Sequence, residues 1–174
     1  EWPWVGNISY WFFKRPADYE RNQAFYYFRM VEPDFTPLPI YVTMGNYIST
    51  QTPTLYAGVH QAEHWAVTRF ENWRLEADSD AQFGEAVRTL TSTFTARGTA
   101  VYLRWRGDSA IKVSIDGGEP LLVYAFPERE KQWNETRLSG SLLPETHSYT
   151  VTGFVPGLAI YLDTISVHDR TLPN

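Results

Sequence analysis

From residue 64 onward, apolar and polar side chains alternate along the chain, and this two-residue period is the feature that most constrains the fold. The alternation is clearest over residues 101–106 and 111–115, where Val, Leu, Ile or Trp occupies every second position. Such segments form strands with one buried face. Asp116-Gly117-Gly118 follows and supplies residues that accept positive φ angles, as a tight hairpin requires.

The remaining part of this region continues the pattern. Turn-forming pairs stand at Ser139-Gly140 and at Pro156-Gly157. Many short strands with almost no helical periodicity predict a mainly β fold, an antiparallel β-sandwich or jelly roll. The further strands are expected over residues 121–126, 131–138, 147–154 and 159–168.

The first part of the chain has a different character. Residues 4–13 form a continuous apolar run, which predicts a strand buried on both faces. Thr36 and Pro37 suit the start of a helix of about 12 residues, because a hydroxyl caps the first turn and Pro is favoured at the first helical position. The apolar face of this helix consists of Ile40, Met44, Tyr47 and Ile48.

A turn-rich segment separates the two parts. Residues 49–58 contain Ser, Thr, Pro and Gly and make the best candidate linker. We therefore expect an N-terminal strand, loop and helix with their linker over residues 1–58, and a β-sandwich domain over residues 59–174.

Composition narrows the class of partner. The formal net charge is −5 and the basic residues are scattered, which disfavours nucleic acid and anionic membranes. The chain has no Cys, which removes thiolate metal sites and Cys nucleophiles. It also lacks a run of eighteen apolar residues and begins without a signal-peptide pattern, so it reads like the middle of a longer protein, secreted or cytoplasmic.

The 7 Trp, 11 Tyr and 10 Phe exceed the needs of a small core and suggest rings that stack on sugars.

Three segments of the second part carry a resemblance to a known superfamily. They are Gly98-Thr-Ala-Val-Tyr-Leu with Lys112-Val-Ser-Ile-Asp-Gly-Gly, then Leu143-Pro-Glu-Thr-His, then Ala159-Ile-Tyr-Leu-Asp-Thr-Ile-Ser-Val. In this order they resemble the galactose-binding-domain-like β-sandwiches attached to many carbohydrate-active enzymes. The resemblance spans roughly residues 64–168, and it implies a sugar site on loops at one end of the sandwich and a possible structural calcium ion.

The first fifty residues resemble the end of a bacterial glycoside-hydrolase (β/α)8 barrel. Ile8-Ser-Tyr-Trp-Phe-Phe is similar to its last strand, and Pro33-Asp-Phe-Thr-Pro-Leu-Pro-Ile-Tyr is similar to the lead into its last helix. The resemblance implies that Trp11 once stacked on substrate. It also implies that the catalytic acid and nucleophile lay on earlier strands, so we expect no catalysis by this chain alone and a glycosidase as the parent protein.

A histidine motif and a group of acidic residues both resemble catalytic patterns, but each has a simpler explanation. His60-Gln-Ala-Glu63-His64 formally matches a zinc-binding H-x-x-E-H motif, but that motif needs a helix, and an extended segment would hold the two histidines about 13 Å apart. Hydrolysis of a glycosidic bond needs two facing carboxylates, and the candidates are Glu63, Glu71, Glu76, Asp78 and Asp80. A solvated acidic loop explains these residues more simply. That loop is a better candidate for calcium, with Glu76, Asp78 and Asp80 as possible ligands; no other cofactor is required.

Sugar binding needs exposed rings and a few polar side chains that contact hydroxyl groups. Our candidates are Trp73, Trp133, Arg104 and Tyr124, although any of these rings could instead belong to the core. We therefore expect a non-catalytic carbohydrate-binding or accessory module whose partners are a poly- or oligosaccharide and the rest of a glycoside hydrolase. Two alternatives stay open: a structural sandwich that caps a barrel or forms a homo-oligomer, and a piece of an active retaining hydrolase.

Overall fold

The computed structural model describes residues 13, 22, 29–70, 72–107, 109–125 and 132–170. The chain forms two compact units, residues 1–52 and residues 53–174. Trp11 and nearly all of the strand predicted over residues 4–13 lie outside the described residues.

The first unit contains a helix, α1 (Pro39–Thr50), which has the predicted length of 12 residues but starts two residues later than expected. Thr36 does not cap it; Leu38 is the N-cap residue, and Pro39 occupies the favoured first position. Pro37 instead pairs with Val31 in an isolated antiparallel bridge, and the chain between them turns with Phe35 at φ of 68°. No residue of α1 is buried. In the part of the chain that the structure describes, no helix is long and apolar enough to cross a membrane.

The second unit is a curled sheet whose described strand pairs are antiparallel except for one, which confirms the predicted mainly β, sandwich-like fold. The parallel pair joins β1 to β6. The strands are β1 (Thr54–Leu55), β2 (Gly58–Gln61), β3 (Val67–Phe70), β4 (Arg74–Ala77), β5 (Glu85–Thr89), β6 (Thr91–Arg106), β7 (Ala110–Ile115), β8 (Leu121–Tyr124), β9 (Asn134–Gly153) and β10 (Ile160–His168).

Two long strands, β6 and β9, run through both parts of the sheet. Their first pairing segment joins β6 residues 91–98 to β9 residues 145–152, and this part has the strand order β8-β7-β9-β6-β3. Their second joins β6 residues 100–105 to β9 residues 134–140, and this part has the order β4-β5-β10-β6-β9, with β2 also on β10. Register shifts near Gly98 separate the two segments, as β-bulges do where a strand bends.

One hydrophobic core lies between the two parts. Phe94 and Tyr149 stack there with ring centres 5.0 Å apart. Trp105 is fully buried, and its indole Nε1 donates a 3.0 Å hydrogen bond to the hydroxyl of Thr136, so its single polar atom is satisfied. The inward positions of the predicted alternation therefore supply the core.

Two local predictions are wrong. Ser139-Gly140 is not a turn, because β9 continues through it and Gly140 pairs with Ala100 of β6. The predicted linker over residues 49–58 contains β1 and the start of β2, since Leu55 is an apolar side chain with no exposed surface and belongs to the core.

Candidate functional site

Trp73 lies just before β4 and is held by an arginine from the end of β3. Cζ of Arg69 lies 4.5 Å from the centre of the Trp73 ring, and its Nη1 donates to the carbonyl oxygens of Ala62 at 3.1 Å and of His64 at 3.4 Å. Asn72, which precedes the ring, has φ of 52°, a conformation that Asn tolerates better than most residues. Trp73 remains 45% exposed. We call Arg69 and Trp73 the Trp73 platform.

Trp65 is a second exposed ring and is not among the predicted site residues. It is 70% exposed in the turn between β2 and β3, and its ring centre lies 5.6 Å from that of His64. His64 Nδ1 accepts a 3.2 Å hydrogen bond from the backbone N–H of Ala66, which fixes this turn. The signal was a Trp inside a segment bounded by Gly58 and the strand at residue 67, where a ring has no core position to fill.

The His60–His64 pair departs from the expected extended geometry. The chain turns between the two residues, so their ring centres are 5.2 Å apart rather than about 13 Å. His60 Nε2 donates to the carbonyl oxygen of Tyr56 at 2.7 Å, and burial, His60 and Arg69 all lower the pKa of His64. Among the described residues, no group of three or more His, Asp or Glu is placed to hold a metal ion.

A row of arginine and aromatic side chains crosses the second part of the sheet. Strand pairing aligns Arg74 with Arg88, Arg88 with Tyr161, and Tyr161 with Arg106. Trp133 continues the row beside β6, because Cζ of Arg106 lies 4.9 Å from its ring centre and 4.7 Å from that of Tyr161. We call these five residues the arginine–aromatic row.

Arg104 anchors a loop to this face of the sheet. Its Nη1 lies 2.7 Å from Oδ2 of Asp163, and its Nη2 donates to the carbonyl oxygen of Asp80 at 2.9 Å. The backbone N–H of Gln82 also donates to Oδ2 of Asp163, at 2.9 Å. Asp163 is 1% exposed, and burial raises the pKa of its carboxyl group despite the hydrogen bonds and the Arg104 charge. Arg104 is therefore committed to holding the loop over residues 78–84.

Trp133 lies against the same arginine. Cζ of Arg104 is 5.4 Å from the Trp133 ring centre, so the structure brings these two predicted site residues together. The indole Nε1 of Trp133 is buried and has no hydrogen-bond partner among the described residues. Trp133 is only partly exposed, which leaves less of its ring for a ligand than Trp73 offers.

The three predicted calcium ligands face arginines. Glu76 pairs with Arg74 at 2.5 Å and lies 3.9 Å from Arg88, while Asp78 pairs with Arg106 at 2.7 Å. The carbonyl oxygen of Asp80 accepts from Arg104. The ion pairs neutralise the carboxylates of Glu76 and Asp78, two of the three that a calcium ion would need, so calcium binding here stays a prediction.

Tyr124 ends β8, in the other part of the sheet, and is 67% exposed. Its strand pairs with β7, and the apolar side chains Leu121 and Leu122 are exposed beside it. Trp73 and Trp133 are also separate. The Trp73 ring contacts Arg69 of β3, whereas the Trp133 ring contacts Arg104 and Arg106 of β6. The four predicted sugar-binding residues therefore do not form one cluster, and only Arg104 and Trp133 are in contact.

Several solved structures are similar to this chain. A family two carbohydrate esterase from Cellvibrio japonicus has a TM-score of 0.51 at 13% identity, over 65% of this chain and 33% of that chain. An exo-β-1,3-galactanase from Phanerochaete chrysosporium with β-1,3-galactotriose has a TM-score of 0.45 at 20% identity, over 63% of this chain and 29% of that chain. A family 35 carbohydrate binding module from Clostridium thermocellum has a TM-score of 0.45 at 17% identity, over 63% of this chain and 96% of that chain.

At these identities the similarity defines the fold. The chain spans about a third of the length of the two enzymes. The match to the esterase is the one that supports a shared fold, because its TM-score of 0.51 is the highest of the three. No protein-family model matches the sequence, and no curated protein matches it. The class defined is thus a mainly β, sandwich-like fold, which one domain-sized part of the carbohydrate esterase shares.

Proposed function

We propose that this chain is a non-catalytic carbohydrate-binding or accessory module of a glycoside hydrolase, and that the Trp73 platform is its main sugar contact. The observation that carries the proposal is an exposed tryptophan ring fixed by an arginine, which is itself fixed by two backbone carbonyls. A ring held in this way loses little conformational freedom when a sugar stacks on it. The shared fold with a carbohydrate esterase is consistent with such a role.

The other predicted residues take secondary roles in this proposal. Tyr124 offers a second exposed ring, whereas Trp133 and Arg104 support the face of the sheet and bring the loop over residues 78–84 into place. Trp65 adds an exposed ring close to the Trp73 platform in sequence and linked to it through His64. The sugar would therefore bind at the loops around β3 and β4 first.

The absence of catalysis by this chain alone is part of the proposal. Glu76 and Asp78, two of the acids considered for hydrolysis, are ion-paired with arginines rather than facing each other. A glycosidic general acid needs a raised pKa and a second carboxylate across the scissile bond. Incubation of the chain with aryl-glycosides checks this point, and release of the aryl group above the background rate would contradict it.

Affinity electrophoresis and calorimetry with soluble polysaccharides test the binding role. We expect at least one neutral glycan to retard the chain, and Trp73→Ala to weaken binding by about tenfold or more, since truncating a central aromatic contact costs about 2 kcal/mol or more. Tyr56→Ala is the matched control, because Tyr56 is exposed but its ring is not stacked under an arginine. Binding to no glycan, or equal loss in both variants, would contradict the proposal.

A structural role is the second candidate, and one observation favours it. Leu121, Leu122 and Tyr124 expose apolar surface on β8, whose only partner among the described strands is β7. Exposed apolar strands of this kind drive association with a second sheet edge or a neighbouring domain. Light scattering checks this role: a dimer that becomes monomeric in Leu121→Lys would support it, and a monomer at all concentrations would exclude self-association.

A further inference from the structure

A cavity of about 310 Å³ lies in the second unit, away from the Trp73 platform. It is lined by parts of β6, β9 and the end of β10, and its walls include Tyr102, His168, Arg137 and Arg170. The rings of Tyr102 and His168 meet edge to face, with their centres 5.1 Å apart. The volume is at the lower end of the range for small-molecule sites, which suits one sugar residue. We call it the Arg137–Arg170 cavity.

The bend in β6 builds one wall of this cavity. The hydroxyl of Thr99 donates to the carbonyl oxygen of His168 at 3.1 Å and accepts from the backbone N–H of Arg170 at 3.0 Å. This close approach depends on Gly98, since a Cβ at that position would lie 2.5 Å from the His168 carbonyl oxygen and 2.7 Å from Cγ1 of Val167. The chain after β10 is thus tied to β6, which positions Arg170.

A second glycine positions the other arginine. The guanidinium of Arg137 lies over Gly140, in the space that a Cβ at position 140 would occupy. Its Nε donates to the carbonyl oxygen of Ser139 at 3.1 Å, which leaves both Nη groups for other partners. The continuation of β9 through Ser139-Gly140, where the sequence predicted a turn, is what allows this arrangement.

The charges of the residues that line the cavity indicate the class of ligand. The residues that line the cavity include two arginines and a histidine but no Asp or Glu. Among the described residues, neither Arg137 nor Arg170 forms an ion pair, whereas Arg74, Arg104 and Arg106 each do. A guanidinium group can bind an oxyanion through paired hydrogen bonds, and two of these groups line this cavity.

We propose that the Arg137–Arg170 cavity binds the oxyanion of an acidic sugar, a carboxylate or a sulfate ester, with the Tyr102 ring against the sugar. The sugar part of this assignment rests on the proposed carbohydrate function, whereas the oxyanion part rests on the cavity itself. The site would add selectivity for charged glycans to the neutral stacking surface at Trp73.

Titrations followed by ¹H–¹⁵N spectra test the proposal with four probes: galacturonic acid, galactose 6-sulfate, galactose and inorganic sulfate. We expect shifts at Tyr102, His168 and their neighbours with at least one of the two acidic sugars, and none with galactose. The stronger of the two acidic sugars identifies the oxyanion. Arg137→Gln and Arg170→Gln should each weaken that binding by about tenfold or more, since each removes charge-assisted hydrogen bonds to the oxyanion.

Two further variants separate the effect of where the Arg137 guanidinium lies from the effect of losing a positive charge. Gly140→Ala keeps both charges but displaces the Arg137 guanidinium, so it should weaken acidic-sugar binding too. Arg97→Gln removes one exposed charge from the same strand, β6, without lining the cavity, and should leave binding unchanged. The proposal fails if galactose binds as well as the acidic sugars, if inorganic sulfate alone accounts for the shifts, or if the arginine variants match Arg97→Gln. Trp73→Ala should not alter these titrations, so this result is independent of the test of the Trp73 platform.

Discussion

Arg69 binds the turn over residues 62–64 through two carbonyl oxygens and holds the Trp73 ring with the same guanidinium, 4.5 Å from Cζ to the ring centre. Arg69→Met keeps the aliphatic stem but removes both interactions. We expect the free energy of unfolding to fall by about 1–2 kcal/mol, from the lost hydrogen bonds and the cation–π contact, and neutral-glycan affinity to fall several-fold. Urea unfolding and calorimetry measure the two effects. Arg97→Met is the control, and full affinity in Arg69→Met would show that the ring needs no such support.

Loss of the ion pair between Arg104 and Asp163 should lower the free energy of unfolding by an amount that depends on pH. Burial raises the folded-state pKa of Asp163, so the stability contributed by its protonation is complete below the ordinary carboxyl pKa and is lost as pH rises through the raised pKa. Arg104→Gln removes an interaction that lowers this pKa, which raises the pKa further and leaves an uncompensated buried charge. We expect a loss of about 3 kcal/mol in unfolding free energy at pH 7.

The pH dependence distinguishes this mechanism from simple loss of packing. The cost of Arg104→Gln should shrink as pH falls toward about 4, where an ordinary carboxyl group is half protonated. Urea denaturation across this range measures it. The double variant Arg104→Gln with Asp163→Asn has no buried charge at this site, so its loss of unfolding free energy should not vary with pH. An equal loss in Arg104→Gln at about pH 4 and pH 7 would contradict the role of the Asp163 charge.

His147 links β9 to the hairpin turn at Asp116. Its Nδ1 lies 2.6 Å from Oδ2 of Asp116 and its Nε2 lies 3.2 Å from Oε2 of Glu145. The hydrogen bond to Asp116 raises the pKa of His147, and the hydrogen bond from His147 lowers the pKa of Asp116. The stabilisation by His147 is complete below the ordinary histidine pKa and is lost as pH rises through its raised pKa, whereas that by Asp116 is lost as pH falls through its lowered pKa.

The hairpin should therefore be most stable in mildly acidic solution. We expect the melting temperature to decline above neutral pH, and His147→Gln to remove this decline. A ¹H–¹³C titration of the His147 ring measures its pKa directly. A His147 pKa at or below the ordinary value would show that the Asp116 contact does not persist in solution.

Gly98 is required by the close approach of the chain at the end of β10. Gly98→Ala places a Cβ against the His168 carbonyl and Val167, so we expect a loss of about 1–3 kcal/mol from the displaced backbone. Gly107→Ala is the matched control, because its Cβ would meet Trp105 and Ile160 only at ordinary contact distances of 3.5 and 3.6 Å. Thermal unfolding of both variants checks the difference, and similar melting temperatures would rule out a special role for Gly98.

The period-two alternation was enough to predict the fold class and the inward residues of β6 and β7, because burial of one face selects alternate positions. It did not predict that β9 continues through Ser139-Gly140. That outcome depends on pairing with β6, which lies more than thirty residues earlier, and on the Arg137 side chain that occupies the space above Gly140. Local turn propensity is overridden here by long-range strand pairing.

The candidate site was less predictable than the fold. The sequence proposed Trp73 and Tyr124 as sugar-binding rings while leaving a core position open for each, and both are exposed. Arg104 was selected as a free polar residue, yet it is bound to Asp163, a partner 59 positions away. The unpaired arginines of the Arg137–Arg170 cavity were missed for the same reason, since whether an arginine has an acidic partner depends on tertiary contacts. The Trp11 assignment and the calcium site stay predictions.

The passage of β6 and β9 through both parts of the sheet also determines how this domain folds. Neither part can form by itself, because each borrows the same two strands, and Thr91 must find Thr152 before either part is complete. Formation of such distant pairs is slow, typically milliseconds to seconds for sandwich topologies. Once β6 and β9 separate, both parts lose their central strands at once, so the sandwich should unfold in a single cooperative transition.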